Sequence, residues 1–252
     1  MLKDLDLKIK ENLKALRLAT IREVYKNTAE YAAKENLTHE EFLLLLLEKE
    51  TESRHNKHIA RLLKESELDP DKTMENFDMK RLPPKILMQL NAVRHGDFLD
   101  RKENILIFGN PGSGKTHLLS AIAREQIINN CRRIKKTDCS LLVQDLLLAK
   151  QKLQLRDILK RYSKYDAIII DDIGYVQQSK EEMEVLFTLL ADRYERGSVM
   201  LTSNLPFSKW ERIFKDPMTA SAAIDRLIHH SIILELNLLS YRMEDAKNRR
   251  SK

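Results

Sequence analysis

Gly109-Asn110-Pro111-Gly112-Ser113-Gly114-Lys115-Thr116 is the stretch from which the rest of the chain can be read. The octet fits G-x-x-x-x-G-K-[ST], the phosphate-binding Walker A loop. Its chemistry needs those residue types. Glycines let the backbone turn tightly, so that successive N–H groups face inward toward phosphate oxygens. Lys115 supplies a point charge for the outer phosphates. Thr116 offers a hydroxyl to Mg²⁺, and the helix that begins there aims its positive end at the same anion. The flanks agree with this reading. Asn104-Ile105-Leu106-Ile107-Phe108 is an apolar run of strand length leading into the loop, and Leu118, Leu119, Ile122 and Ala123 follow at helical spacing.

Downstream the pattern alternates. Further strands are expected over 133–137, 166–170, 199–203 and 231–236, with helices over 140–162 and 180–196 between them. Ser179 and Glu182 form a capping box at the start of the second helix. Apolar strands alternating with helices predict an α/β fold with a five-stranded parallel sheet covered on both faces. Ligands of such sheets bind at the carboxyl ends of the strands, where Gly109, Asp171, Asp172 and Asn204 all fall. Ile168-Ile169-Ile170-Asp171-Asp172 reads as a Walker B strand. Asp171 is the candidate ligand for the Mg²⁺ that bridges the outer phosphates, and Asp172 the candidate group that polarises the attacking water. Asn204, closing Leu201-Thr202-Ser203-Asn204, can orient that water. ATP and Mg²⁺ are therefore the expected ligands.

Ahead of the loop, residues 1–68 read as helices, with Leu5, Ile9, Leu13 and Leu16 on one face. Thr38 and Glu41 form a capping box. Five consecutive leucines, Leu43 to Leu47, cover most of a helix circumference, so that helix is expected to be buried on more than one side. Residues 1–75 carry 14 basic and 16 acidic side chains, which makes the segment a small docking or assembly domain and not a basic arm. Asp69-Pro70 ends it. Residues 69–84, punctuated by Pro70, Pro83 and Pro84, form a linker, a short helix over 85–99 follows, and 85–252 is the nucleotide domain.

At 252 residues, 42% hydrophobic and 33% charged, the chain is globular and not disordered. No apolar run approaches the ~20 residues of a membrane span. The N-terminus does not read as a signal peptide, and Cys131 and Cys139 lack metal-ligand spacing, which fits reduced thiols in the cytoplasm. The net charge of +6 is concentrated: residues 131–165 hold ten Lys and Arg against three Asp. Such a patch suits an anionic polymer. Lys152, Arg156, Lys160 and Lys164 recur every four residues, which on one long helix makes an inclined ridge able to follow phosphates. With Arg132 and Arg133 they are the candidate contacts to duplex DNA.

The ordered set resembles the IstB-like AAA+ ATPases of the DnaC-like initiator clade, transposition helpers of bacterial insertion sequences. The resemblance is carried by GNPGSGKTHL at 109–118, IIIDDIGY at 168–175, RYERGSVMLTSNLPFSKW at 193–210, DRLIHH at 225–230 and SYR at 240–242. EFLLLLLEKETESR at 41–54 and TMENFD at 73–78 carry it through the N-terminal part. It implies an AAA+ P-loop core behind a small all-helical N-terminal domain, without a C-terminal lid domain. It adds His117 to the nucleotide site. Arg226 matches the family's arginine finger, which reaches the ATP of a neighbouring subunit, and Arg242 a sensor arginine acting within its own subunit. The basic region falls where the clade carries an extra helix facing nucleic acid. The implied function is an ATP-dependent helper that oligomerises as a ring or filament on duplex DNA, largely independently of sequence, hydrolyses ATP and recruits a transposase. The alternative is a replicative helicase loader of the DnaC type, from which the N-terminal domain would distinguish it. A small-molecule P-loop kinase leaves the basic helix unexplained.

Overall fold

The computed structural model describes residues 2–174, 179–206, 209–210 and 224–241. The chain divides into two units, Met1–Arg61 and Leu62–Lys252. The first holds α1 (Leu2–Ala15), α2 (Ala19–Lys34) and most of α3 (His39–Ser66). The expected capping box opens α3: the Glu41 N–H donates to Thr38 Oγ1 at 3.2 Å, and the Thr38 N–H donates to Glu41 Oε2 at 2.7 Å. α2 has no capping side chain of its own. Glu50 of α3 serves instead, accepting the Thr20 and Ile21 N–H groups at 2.9 and 3.0 Å, so that a carboxylate satisfies orphan donors at the positive helix end.

The leucine run departs from expectation. Leu46 is buried, but Leu43, Leu44 and Leu47 are 55%, 55% and 46% exposed. Of the run only Leu46 is fully buried, so a helix apolar nearly all round leaves most of that surface in solvent.

The second unit is built on a parallel sheet in the order β2-β3-β4-β1-β5. Its strands are β1 (Asn104–Gly109), β2 (Ile134–Asp138), β3 (Ala167–Ile173), β4 (Ser198–Ser203) and β5 (Ser231–Leu236). Alternation sends side chains to two cores. Ile105, Ile107, Ala167, Ile169 and Met200 face α4 (Pro84–Arg94) and α6 (Lys115–Asn130). Leu106, Phe108, Ile168, Ile170 and Leu201 face α7 (Cys139–Gln151), α8 (Leu155–Tyr162) and α9 (Lys180–Arg193), the last opened by the Ser179–Glu182 capping box. The AAA+ arrangement follows, with β1 between β4 and β5 and the phosphate loop at its end.

Two expected helices are broken. The one over 85–99 stops at Arg94, where Gly96 turns at φ +88°, and α5 (Asp97–Asp100) follows. The one over 140–162 splits into α7 and α8. Its buried stripe, Leu142, Leu146 and Ala149, would continue to Leu153, but the packing residues resume at Leu155, Ile158, Leu159 and Tyr162. The slip in phase is absorbed by Leu153, which takes φ +59° and is 94% exposed, while the Gln154 N–H closes the turn on the Ala149 carbonyl at 2.8 Å.

Arg193 pins the amino-terminal edge of the sheet. It is buried and donates to the carbonyls of Tyr162, Tyr165, Asp166 and Ser198 at 2.9 to 3.2 Å. Burial pushes its pKa down to about 10. Arg193→Met leaves four carbonyls without this donor and is expected to cost on the order of 3 kcal/mol in urea unfolding. Arg193→Lys should recover only part of it, because an ammonium lacks the planar fork.

Candidate nucleotide site

The carboxyl ends of β1, β3 and β4 frame a cavity of about 500 Å³, lined among others by Pro111 to His117, Asp171, Asp172 and Asn204. The loop has the backbone that its glycines permit. A Cβ on Gly109 would stand 2.1 Å from the Leu236 carbonyl oxygen, so the turn out of β1 needs the bare residue. Gly114, at φ +95°, precedes α6, and a Cβ there would come within 2.9 Å of the Phe77 ring. Asn110 and Pro111 are exposed at the loop's tip, and Ser113 is buried beneath it.

The catalytic candidates converge. Lys115 is buried and donates to the Gly109 and Asn110 carbonyls at 3.0 and 2.9 Å, and to Asn204 Oδ1 at 2.6 Å. Asn204 thus touches the lysine of the Walker A loop directly. Thr116 Oγ1 donates to Asp171 Oδ1 at 2.9 Å, which joins the two expected Mg²⁺ ligands.

Asp171 and Asp172 are adjacent, and a regular strand would point them to opposite faces. The β3–β4 register shifts between Ile170 and Ile173, and Asp172 takes φ +58°. This bulge re-aims Asp172 into the cavity that Asp171 also lines. Thr202 anchors it: its hydroxyl accepts the Asp172 N–H at 2.8 Å and donates to Asp171 Oδ1 at 2.6 Å. Desolvation in the cleft raises the Asp172 pKa. Asp171 and Asp138 push the same way, and Lys115 and Lys136 oppose.

Thr202 and Lys136, whose ammonium lies 3.2 Å from Asp171 Oδ2, are site residues that motif reading missed. Thr202 stands inside a quoted motif, where alternation from Asn204 could have singled it out. For Lys136 no motif gives a signal.

The outer rim comes from the preceding linker and from residues after β5. His117 turns its Nε2 to the Thr73 carbonyl at 2.8 Å, and its ring makes a T-shaped contact with Phe77. Arg81 donates to the Leu239 carbonyl at 2.6 Å and lies over the Tyr241 ring, while the Tyr241 N–H donates to the Gly112 carbonyl at 2.9 Å. Arg242 lies outside the described residues.

Arg226 is not at this site. Residues 224–228 are helical, and Arg226 sits 5.0 Å over the Phe187 ring. It borders a small cavity with Asn104, Val199 and His230, at the opposite end of β1 and β4.

The basic region separates into two halves. Arg132 pairs with Asp100, Arg133 with Glu65 while stacking on Tyr165, Lys135 with Glu67, and Lys150 with Glu184. Lys152, Arg156, Lys160 and Lys164 are exposed and form no ion pair among the described residues. They do not share one helix, as their spacing suggested. Lys152 caps the end of α7, Arg156 and Lys160 lie on α8, and Lys164 follows it. The break at Leu153 interrupts the ridge.

A model of the family described as IstB-like ATP binding protein matches residues 11–249. The chain belongs to this family. An insertion sequence ATP-binding protein of Sinorhizobium fredii is 41% identical over 235 residues, which are 93% of this chain and 78% of that one. The IS5376 ATP-binding protein of Geobacillus stearothermophilus is 37% identical over 240 residues, 95% of each chain. The IS21 ATP-binding protein of Pseudomonas aeruginosa is 34% identical over 238 residues, 93% of this chain and 88% of that one. Among solved structures, AMPPCP-bound DnaA of Aquifex aeolicus superposes with a TM-score of 0.56 at 20% identity, over 73% of this chain and 56% of that one. The DnaC helicase loader gives 0.56 at 15% identity, over 66% of this chain and 97% of that one. At these identities the likeness is one of fold, and the fold is that of AAA+ P-loop proteins. The IstB-like chain is accordingly an ATPase. No helix among its described residues is long and apolar enough to cross a membrane.

Proposed function

We propose that this IstB-like ATPase is a cytoplasmic transposition helper that assembles on duplex DNA with ATP, hydrolyses it and recruits or regulates a cognate transposase. The observation that carries the DNA reading is the sorting of cations around α7 and α8. Arg132, Arg133, Lys135 and Lys150 are neutralised by acidic partners, whereas Lys152, Arg156, Lys160 and Lys164 are left open to solvent. Residues 1–68 would dock or assemble, 69–84 would link, and 85–252 would bind and turn over the nucleotide. Relatives named for insertion sequences favour this reading over the helicase loader, to which only the fold points.

Mg²⁺ suits the site. Thr116 and Asp171 offer oxygen donors already 2.9 Å apart, and Mg²⁺ is held by one or two such groups together with phosphates and water. It would supply charge neutralisation at the outer phosphates. Asp172 would hold the attacking water and draw its proton, and Asn204 would fix that water and the Lys115 ammonium together.

The DNA reading is tested by duplex binding against salt. Each phosphate contact contributes about −0.9 to the log–log slope. Lys152→Ala, Arg156→Ala and Lys160→Ala together are expected to flatten the slope by roughly three units, to the same extent on unrelated sequences. A slope unchanged in the folded triple variant would remove α7 and α8 from the interface.

A further inference from the structure

Lys136 occupies a position that the site's chemistry does not otherwise explain. In the β2–β3 register Lys136 lies opposite Ile169 and Asp138 opposite Asp171, so side chains 136 and 138 share a face with Asp171. The Lys136 ammonium is 3.2 Å from Asp171 Oδ2 and 4.0 Å from Asp138 Oδ1. Its side chain is 17% exposed and that of Asp171 only 6%, whereas that of Asp138 is 58% exposed. The other Asp171 oxygen is taken by the hydroxyls of Thr116 and Thr202. Both oxygens of the carboxylate are therefore engaged, one by neutral donors and one by a full positive charge.

A buried carboxylate needs such a partner. The same carboxylate, however, is the ligand for a divalent cation in the ATPase reading of this site, on which the inference rests. An ammonium and a divalent cation repel strongly at a few ångströms in a partly desolvated cleft. Lys136 cannot keep its present contact while a metal is held at Asp171. Asp138 lies within reach of the same ammonium and is largely solvent-exposed, so it can take the charge over.

We infer that Lys136 is a resident counter-cation of Asp171 that yields to the metal by moving to Asp138. Lys136 thereby sets the concentration of free Mg²⁺ at which the loaded site forms. It keeps the carboxylate pair from repelling nucleotide when Mg²⁺ is scarce, and it raises the Mg²⁺ needed for the loaded state. Asp138 acts through Lys136 as a positioning residue, lowering that requirement.

The test is equilibrium binding of a fluorescent, non-hydrolysable ATP analogue to the full chain, titrated with free Mg²⁺. Lys136→Met keeps the apolar stem and removes the charge. It is expected to lower the half-saturating Mg²⁺ by about tenfold, equivalent to the loss of about 1.4 kcal/mol of competition, and to weaken binding of the analogue without Mg²⁺. Lys136→Arg should stay near the parent. Asp138→Asn should raise the half-saturating Mg²⁺ several-fold, and on the Lys136→Met background it should change nothing, because its effect passes through the lysine. If the Lys136→Met titration coincides with the parent's or shifts upward, the inference is overturned. It is overturned equally if Asp138→Asn has the same effect with or without Lys136, since Asp138 would then act only as a distant charge. Should Lys136→Met fail to melt cooperatively, Lys136→Gln carries the same comparison. If the analogue binds none of these proteins at any Mg²⁺ concentration, the nucleotide reading falls, and this inference falls with it.

Discussion

Lys115→Ala is expected to weaken ATP binding by about 10²-fold, whereas Asp172→Asn should leave binding within about threefold and slow hydrolysis by roughly 10³-fold. The two substitutions divide because the residues meet different states of the reaction. Lys115 already has its ammonium at the floor of the phosphate loop, held by two loop carbonyls and Asn204. Phosphate oxygens would replace those neutral acceptors with charged ones, so its contribution falls on ground-state binding. Asp172 faces the cavity from a bulge, its N–H held by Thr202, where a water can stand between it and the outer phosphate. An amide there preserves shape and hydrogen bonding but cannot take a proton. Filter binding of labelled ATP and phosphate release, measured on both variants, separate the two effects. Normal hydrolysis by Asp172→Asn would remove it as the base. Normal binding by Lys115→Ala would remove the loop as the phosphate site.

What could be read from the sequence and what could not follow from the range of the forces involved. The phosphate loop, the five strands and the capping boxes at Thr38 and Ser179 are local, each fixed by a few consecutive residues, and all stand in the structure. The break at Leu153 is not local. Residues 142–162 keep an acceptable helical pattern throughout, and only the position of the second core decides which leucines must turn inward. The Asp171–Asp172 pair shows the same limit. The motif names two carboxylates, but whether both reach one cavity depends on a register shift and on a threonine one strand away. Lys136 lies beyond any pattern, because its partner is brought to it by strand pairing across 35 residues of chain. The exposed Leu43, Leu44 and Leu47 mark the opposite failure: composition called for burial on more than one side, and the fold buries only Leu46 of the run fully.

Arg226→Ala is expected to bind ATP nearly normally, yet to lose on the order of 10³-fold in hydrolysis and to fail to assemble on DNA. The reason is placement. Arg226 borders the end of the sheet where β1 begins, and the phosphate loop lies where β1 ends. Six strand residues at about 3.3 Å each put roughly 16 Å between the two ends, more than an arginine side chain spans. The guanidinium cannot serve its own nucleotide and is free to serve that of another subunit. Such head-to-tail contacts are heterologous and close into a ring or wind into a filament according to the rotation per subunit. Nucleotide held by both partners at the junction favours the assembled state by mass action, and DNA contacting successive subunits favours it further. Arg226→Lys should recover little, because a point charge does not reproduce the planar fork. The decisive measurement mixes Arg226→Ala with Lys115→Ala. Each is inactive alone, but Lys115→Ala subunits present intact fingers and Arg226→Ala subunits present intact pockets. Mixing should restore part of the ATPase activity in proportion to the junctions that unite them. If two folded variants stay inactive together on DNA, the arginine is not shared between subunits, and its place over Phe187 is a packing contact alone.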